Sequence, residues 1–138
     1  MIIAKRLTHS SVLRSFIAYG WTIALLVTLL QSSQQPVMGP AAPPGNPDMR
    51  RELLLTVGHI IGFGGLTLVW WWLLDVFLPL RRALILAVTI ALSLGVLTEL
   101  LQSLVPDRNA SLYDMGVNAL VTLLVAGVVY RWCFFAEE

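Results

Sequence analysis

Four apolar stretches, residues 13–30, 53–74, 83–105 and 112–130, dominate this chain of 138 residues. Each is about as long as the roughly 20 residues a helix needs to cross the hydrocarbon core of a bilayer. Inside a membrane every backbone amide and carbonyl must find its partner within the chain, which for single segments means α-helix. The composition agrees. Charged residues make up 12% and hydrophobic residues 57%, with a mean hydropathy of +0.79, where soluble domains carry about 25% charge. The reading is an all-α membrane protein, a four-helix transmembrane bundle forming one membrane domain over 13–130 with no separate soluble domain. A net charge of +1 and the lack of a basic patch exclude nucleic acid as a partner.

Residues 1–12 form a short basic lead with Lys5 and Arg6, and Arg14 follows. A basic lead before an apolar run also suits a cleaved signal peptide. This run exceeds a usual signal core and has no small-residue cleavage site directly after it, so a retained first helix is expected. Residues 31–52 hold Pro36, Pro40, Pro43, Pro44 and Pro47 and read as an irregular loop, because proline removes a donor and blocks helix continuation. In the second stretch, Gly58, Gly62 and Gly65 have the small-residue spacing that lets membrane helices approach closely. Trp70, Trp71 and Trp72 at its far end suit an interfacial aromatic belt more readily than a cofactor stack. Basic residues orient the chain. With the N-terminus inside, Lys5, Arg6, Arg14, Arg81, Arg82 and Arg131 are cytoplasmic, against Arg50, Arg51 and Arg108 outside. Both termini, the tail 131–138 included, are then cytoplasmic. Cys133, the single cysteine, excludes an internal disulfide; it reads as a small buried hydrophobe, with juxtamembrane lipidation as the other reading.

Polarity concentrates between Glu99 and Asn118, with His59 as its counterpart on the second helix. His59 lies seven residues after Glu52, Glu99 seven before Pro106, and Asn118 seven after Ser111. At 1.5 Å per residue all three sit about 10 Å below the outer boundary. Glu99 and Gln102 share a helix face, as do Ser111, Asp114 and Asn118. Polar groups at such depth point into the bundle and mark a functional site by default. Arg108, on the intervening break, is placed to give the acids a counter-charge.

Plainer roles are open to most of these residues. Ser111 and Asp114 have capping-box spacing at a helix start. Asn118 can serve as interhelical glue, and His59 can be a satisfied interior histidine. Arg108 can form an ordinary interfacial ion pair with Asp107 or Asp114. Glu99 is too deep to cap or snorkel. No metal or other cofactor is expected, since one histidine and two acids on three helices lack short-range ligand spacing such as H-E-x-x-H. Nor is there a serine or cysteine nucleophile signature. Acid–base catalysis by Glu99 and His59 is chemically open, but it ranks last.

The stretch ELLQSLVPDRNASLYDMGVN resembles the signature of VanZ-like membrane proteins, E-x-x-Q followed by P-x-R-x-x-S-x-x-D-x-x-x-N. It falls here on Glu99, Gln102, Pro106, Arg108, Ser111, Asp114 and Asn118, with His59 and Phe63 matching a histidine and aromatic of the preceding span. The resemblance covers roughly 53–130. One departure stands out: where such proteins commonly carry Asp-Lys before that histidine, this chain has Leu55-Thr56. The family is named for a protein associated with low-level teicoplanin resistance, and its molecular mechanism is not established. The resemblance implies a multi-pass protein of a bacterial cytoplasmic membrane with an outer-leaflet polar pocket, related to the cell envelope or to glycopeptide response. In that pocket His59, Glu99, Gln102, Arg108, Ser111, Asp114 and Asn118 bind a polar ligand or membrane lipid. The rival expectation is a small accessory subunit of a respiratory or photosynthetic complex, packed on partner subunits through Gly58, Gly62, Gly65 and the tryptophans.

Overall fold

The computed structural model describes residues 2–31, 49–105 and 111–135. The proline-rich segment 32–48 and the break containing Pro106, Asp107 and Arg108 lie outside the described residues. Four helices are present: α1 (Ile2–Leu30), α2 (Met49–Leu74), α3 (Leu80–Gln102) and α4 (Leu112–Phe135). Each contains a stretch long and apolar enough to cross a membrane: Ser11–Leu30, Leu53–Leu74, Leu80–Gln102 and Leu112–Cys133.

The helix ends differ from the apolar runs for local reasons. Pro79 precedes α3, and its carbonyl accepts the first-turn amides of Arg82 and Ala83 at 2.9 and 3.0 Å. The helix therefore begins before the apolar run, with Arg81 and Arg82 exposed on its first turn. It ends at Gln102, where Leu104 and Val105 close tighter turns on Leu101 and Gln102. Hydropathy reports where lipid begins, whereas backbone hydrogen bonding carries α1 and α4 on through polar flanks.

Helices α2 and α3 each touch the other three, while α1 and α4 do not meet among the described residues. The cross-section is thus a rhombus with the α2–α3 contact as its short diagonal. Leu25, Leu29, Phe63, Leu66 and Ala91 form its apolar core, flanked by Trp70, Leu94 and Val121. The exterior is more apolar than the interior. Leu112 is 85% exposed and Leu104 78%, while His59, Glu99, Thr67, Thr98 and Thr122 rank among the largest fully buried side chains. That inversion makes sense only when the solvent is lipid.

Small residues set the helix spacing. Gly65 lies directly under the indole of Trp21, where a β-carbon would collide with the ring, and Gly62 lies under Leu25. Trp21 Nε1 donates to the Gly62 carbonyl at 3.0 Å, so the same close approach also satisfies the indole. Gly64 faces α4 at Val121 and Val125, whereas a β-carbon at Gly58 would meet nothing among the described residues. The tryptophans at the far end tie α1 to α2. Trp70 packs edge-on to Tyr19, centroids 5.3 Å apart, and its Nε1 donates to Thr22 Oγ1 at 3.0 Å. The Arg14 guanidinium lies 4.6 Å from the Trp72 ring centroid and donates to the Trp72 carbonyl at 2.7 Å. That carbonyl belongs to the last turn of α2, which has no intrahelical donor, and a cation suits this end of the helix dipole.

Candidate functional site: a buried polar centre

The opposite end of the bundle, where α1 and α3 finish and α2 and α4 begin, holds the acids and amides. Ser111 starts α4. Its hydroxyl accepts the Asp114 amide at 3.2 Å and its carbonyl accepts the Met115 amide at 3.1 Å. In a full capping box the acid at the third helical position would reach back to the amide of the cap residue. Here the Ser111 amide donates instead to Glu99 Oε2, at 2.9 Å. Glu99 thus takes over the return half of the box from another helix, at the positive end of the α4 dipole, and so has a capping role that its depth in α3 had argued against: the start of α4 reaches down to it. The Asp114 carboxylate is released from that task.

His59 and Asn118 form the second link. Both are 2% exposed, and His59 Nδ1 lies 2.9 Å from Asn118 Oδ1. A carbonyl oxygen only accepts, so with the amide in this orientation Nδ1 is the donor and Nε2 is the ring nitrogen that this bond leaves unused. The Phe63 ring, one turn along α2, runs nearly parallel to the imidazole with centroids 6.2 Å apart. Asn118 in turn packs on Gly95, where a β-carbon would stand 3.5 Å from the Asn118 Cβ.

These links bring three ionisable residues together. One ligating atom each from His59, Glu99 and Asp114 lies within 4.8 Å of the other two. Glu99 is fully buried and Asp114 half-buried. Gln102, although on the Glu99 face, turns towards α1, where its Nε2 donates to the Leu29 carbonyl at 2.9 Å. It caps the last turn of α1, so it closes the bundle beside the centre. Arg108, the proposed counter-charge, lies outside the described residues. Of the glycines singled out, Gly62 and Gly65 face α1, and Gly58 faces no neighbour among the described residues.

Sequence reasoning passed over Gly95 and Thr98. Gly95 lies one turn before Glu99, and that spacing was the available signal. Thr98 is fully buried and returns its hydroxyl to the Gly95 carbonyl at 2.9 Å, which only the structure reveals. Asn118 Nδ2 is buried without a hydrogen-bond partner among the described residues. It adjoins a cavity of about 220 Å³ between α3 and α4, lined by Leu92, Gly95, Val96, Met115, Asn118 and Ala119. The arrangement offers one imidazole, two carboxyl groups and one amide donor, shielded by apolar walls. No family model matches the chain, and no curated protein or solved structure matches it either.

Proposed function

We propose that this chain is a VanZ-like integral membrane protein. It binds a polar ligand or lipid headgroup at the outer leaflet of a bacterial cytoplasmic membrane, in a cell-envelope role such as glycopeptide response. The observation behind this reading is the convergence of His59, Glu99 and Asp114 within 4.8 Å, drawn from three helices. Helix cohesion alone does not call for two carboxyl groups side by side at a membrane-buried point, an arrangement that costs rather than adds stability. It suits a ligand that brings positive charge or several donors. In this reading Arg108 meets the anionic part of the same molecule, which makes a zwitterionic headgroup the natural class.

A groove of about 610 Å³ between α2 and α4, walled by Leu68, Trp71, Leu124, Val128 and Trp132, favours a second reading. In that reading the chain is an accessory subunit docked on a larger respiratory or photosynthetic complex. Mild detergent extraction from the native membrane, followed by native mass spectrometry, separates the two. The headgroup reading expects the protein alone or as a small homo-oligomer, with a headgroup-bearing molecule bound in fixed ratio. Co-elution with other subunits in constant stoichiometry, with no such molecule bound, transfers the case to the accessory reading.

A further inference from the structure

We infer that His59, Glu99 and Asp114 form a site for one divalent transition-metal ion, zinc or manganese, with Asn118 holding the histidine ligand in place. The size fits first. A coordination sphere with bonds of about 2.0 to 2.6 Å is roughly 4 to 5 Å across, and the three ligating atoms lie within 4.8 Å of one another. The donor set fits next. Imidazole nitrogen suits zinc, copper, iron and nickel, while carboxylate oxygen extends the range to manganese. One imidazole and two carboxylates leave further positions for water or a ligand oxygen. Charge fits as well, because two carboxylates balance a dication and leave the buried centre neutral overall. That is the cheapest state for ionised groups held away from water.

The surroundings match what a metal ligand needs from its neighbours. Metal-bound histidines regularly donate their other ring N–H to an oxygen that fixes tautomer and orientation. The bond from His59 Nδ1 to Asn118 Oδ1, at 2.9 Å, does this and leaves the Nε2 lone pair for the ion. Glu99 is held in the same way, its Oε2 accepting the Ser111 amide at 2.9 Å. Short-range ligand spacing is missing from the sequence because each donor comes from a different helix. Bundle packing brings positions 59, 99 and 114 together.

The ion uses the same centre as the headgroup reading, but the two fail separately. Loss of ion binding with a headgroup still bound overturns this inference alone; a bound ion with no headgroup overturns only the other. The test starts from the full-length protein in mild detergent, stripped with a chelator and desalted. It is then titrated with zinc, and with cobalt as a coloured substitute, and metal is counted by elemental mass spectrometry. The expected result is one ion per chain. Glu99→Gln and Asp114→Asn keep shape while removing a charged ligand, and each is expected to lower affinity at least about tenfold. Asn118→Ser, which releases the histidine, should lower it about tenfold to a hundredfold. Variants are compared only where chromatographic profile and helicity match the parent, and either isosteric variant alone decides if the other misfolds. A parent protein that retains no stoichiometric metal overturns the inference. So does one whose affinity and cobalt spectrum are unchanged in Glu99→Gln and Asp114→Asn.

Discussion

Glu99→Gln is expected to weaken headgroup binding at least about tenfold, since a charge-assisted contact is roughly twice as strong as a neutral one. The fold should survive. A glutamine oxygen at the same place still accepts the Ser111 amide, the bond that joins α3 to the start of α4. Glu99→Ala is the informative partner to this variant. Both substitutions remove the charge, so they differ in the lost acceptor and the space left behind. A buried amide without an acceptor costs about 1 to 3 kcal/mol, and the vacated volume adds to that. The alanine protein should therefore unfold well before the glutamine protein in a thermal melt in detergent. Equal melting of the two would mean that Glu99 contributes nothing to the α3–α4 junction.

The second large effect concerns the link between α2 and α4. His59→Phe leaves the Asn118 amide buried with no partner for its oxygen, and Asn118→Leu leaves the His59 N–H without an acceptor. Each single change is expected to destabilise the bundle by about 1 to 3 kcal/mol. The double variant replaces both polar groups and should cost less than the sum of the two. Interhelical hydrogen bonds inside membranes measured by double-mutant cycles average about 0.6 kcal/mol and reach about 1.7. A coupling in that range, read from chemical or thermal unfolding of the four proteins, is the expected outcome. Strict additivity would show that the two side chains do not meet.

The convergence of His59, Glu99 and Asn118 follows from counting. Equal offsets from three helix boundaries place them at one level, and helical periodicity turns Asp114 and Asn118 to one side. The four-helix fold was legible for a similar reason, because apolar length in lipid admits few alternatives. What the sequence could not convey was how a shared face divides between neighbours. Glu99 and Gln102 lie three residues apart, yet Glu99 meets the start of α4 and Gln102 the end of α1. Periodicity gives direction around one helix axis and says nothing of which helix stands there. The same limit applies to Gly58, Gly62 and Gly65. Their spacing is regular, but only the last two have α1 side chains above them. The tryptophans were ambiguous because a belt and an interhelical pin both call for a large ring with one polar edge. Trp70 donates to Thr22 and Trp72 lies beneath Arg14, and no property of the triplet itself specifies those partners.

One contact carries the polar centre: His59 reaches across from α2 to Asn118 on α4, beside Glu99 and Asp114. Solid-state NMR of the protein in bilayers addresses it directly. The chain has two histidines, His9 and His59, so nitrogen labelling of histidine in a His9→Gln background isolates the ring of interest. The structure predicts a ring protonated at Nδ1, with through-space contact from that nitrogen to the labelled amide of Asn118. A ring protonated at Nε2 alone and showing no contact with α4 would contradict the polar centre and the functions built on it.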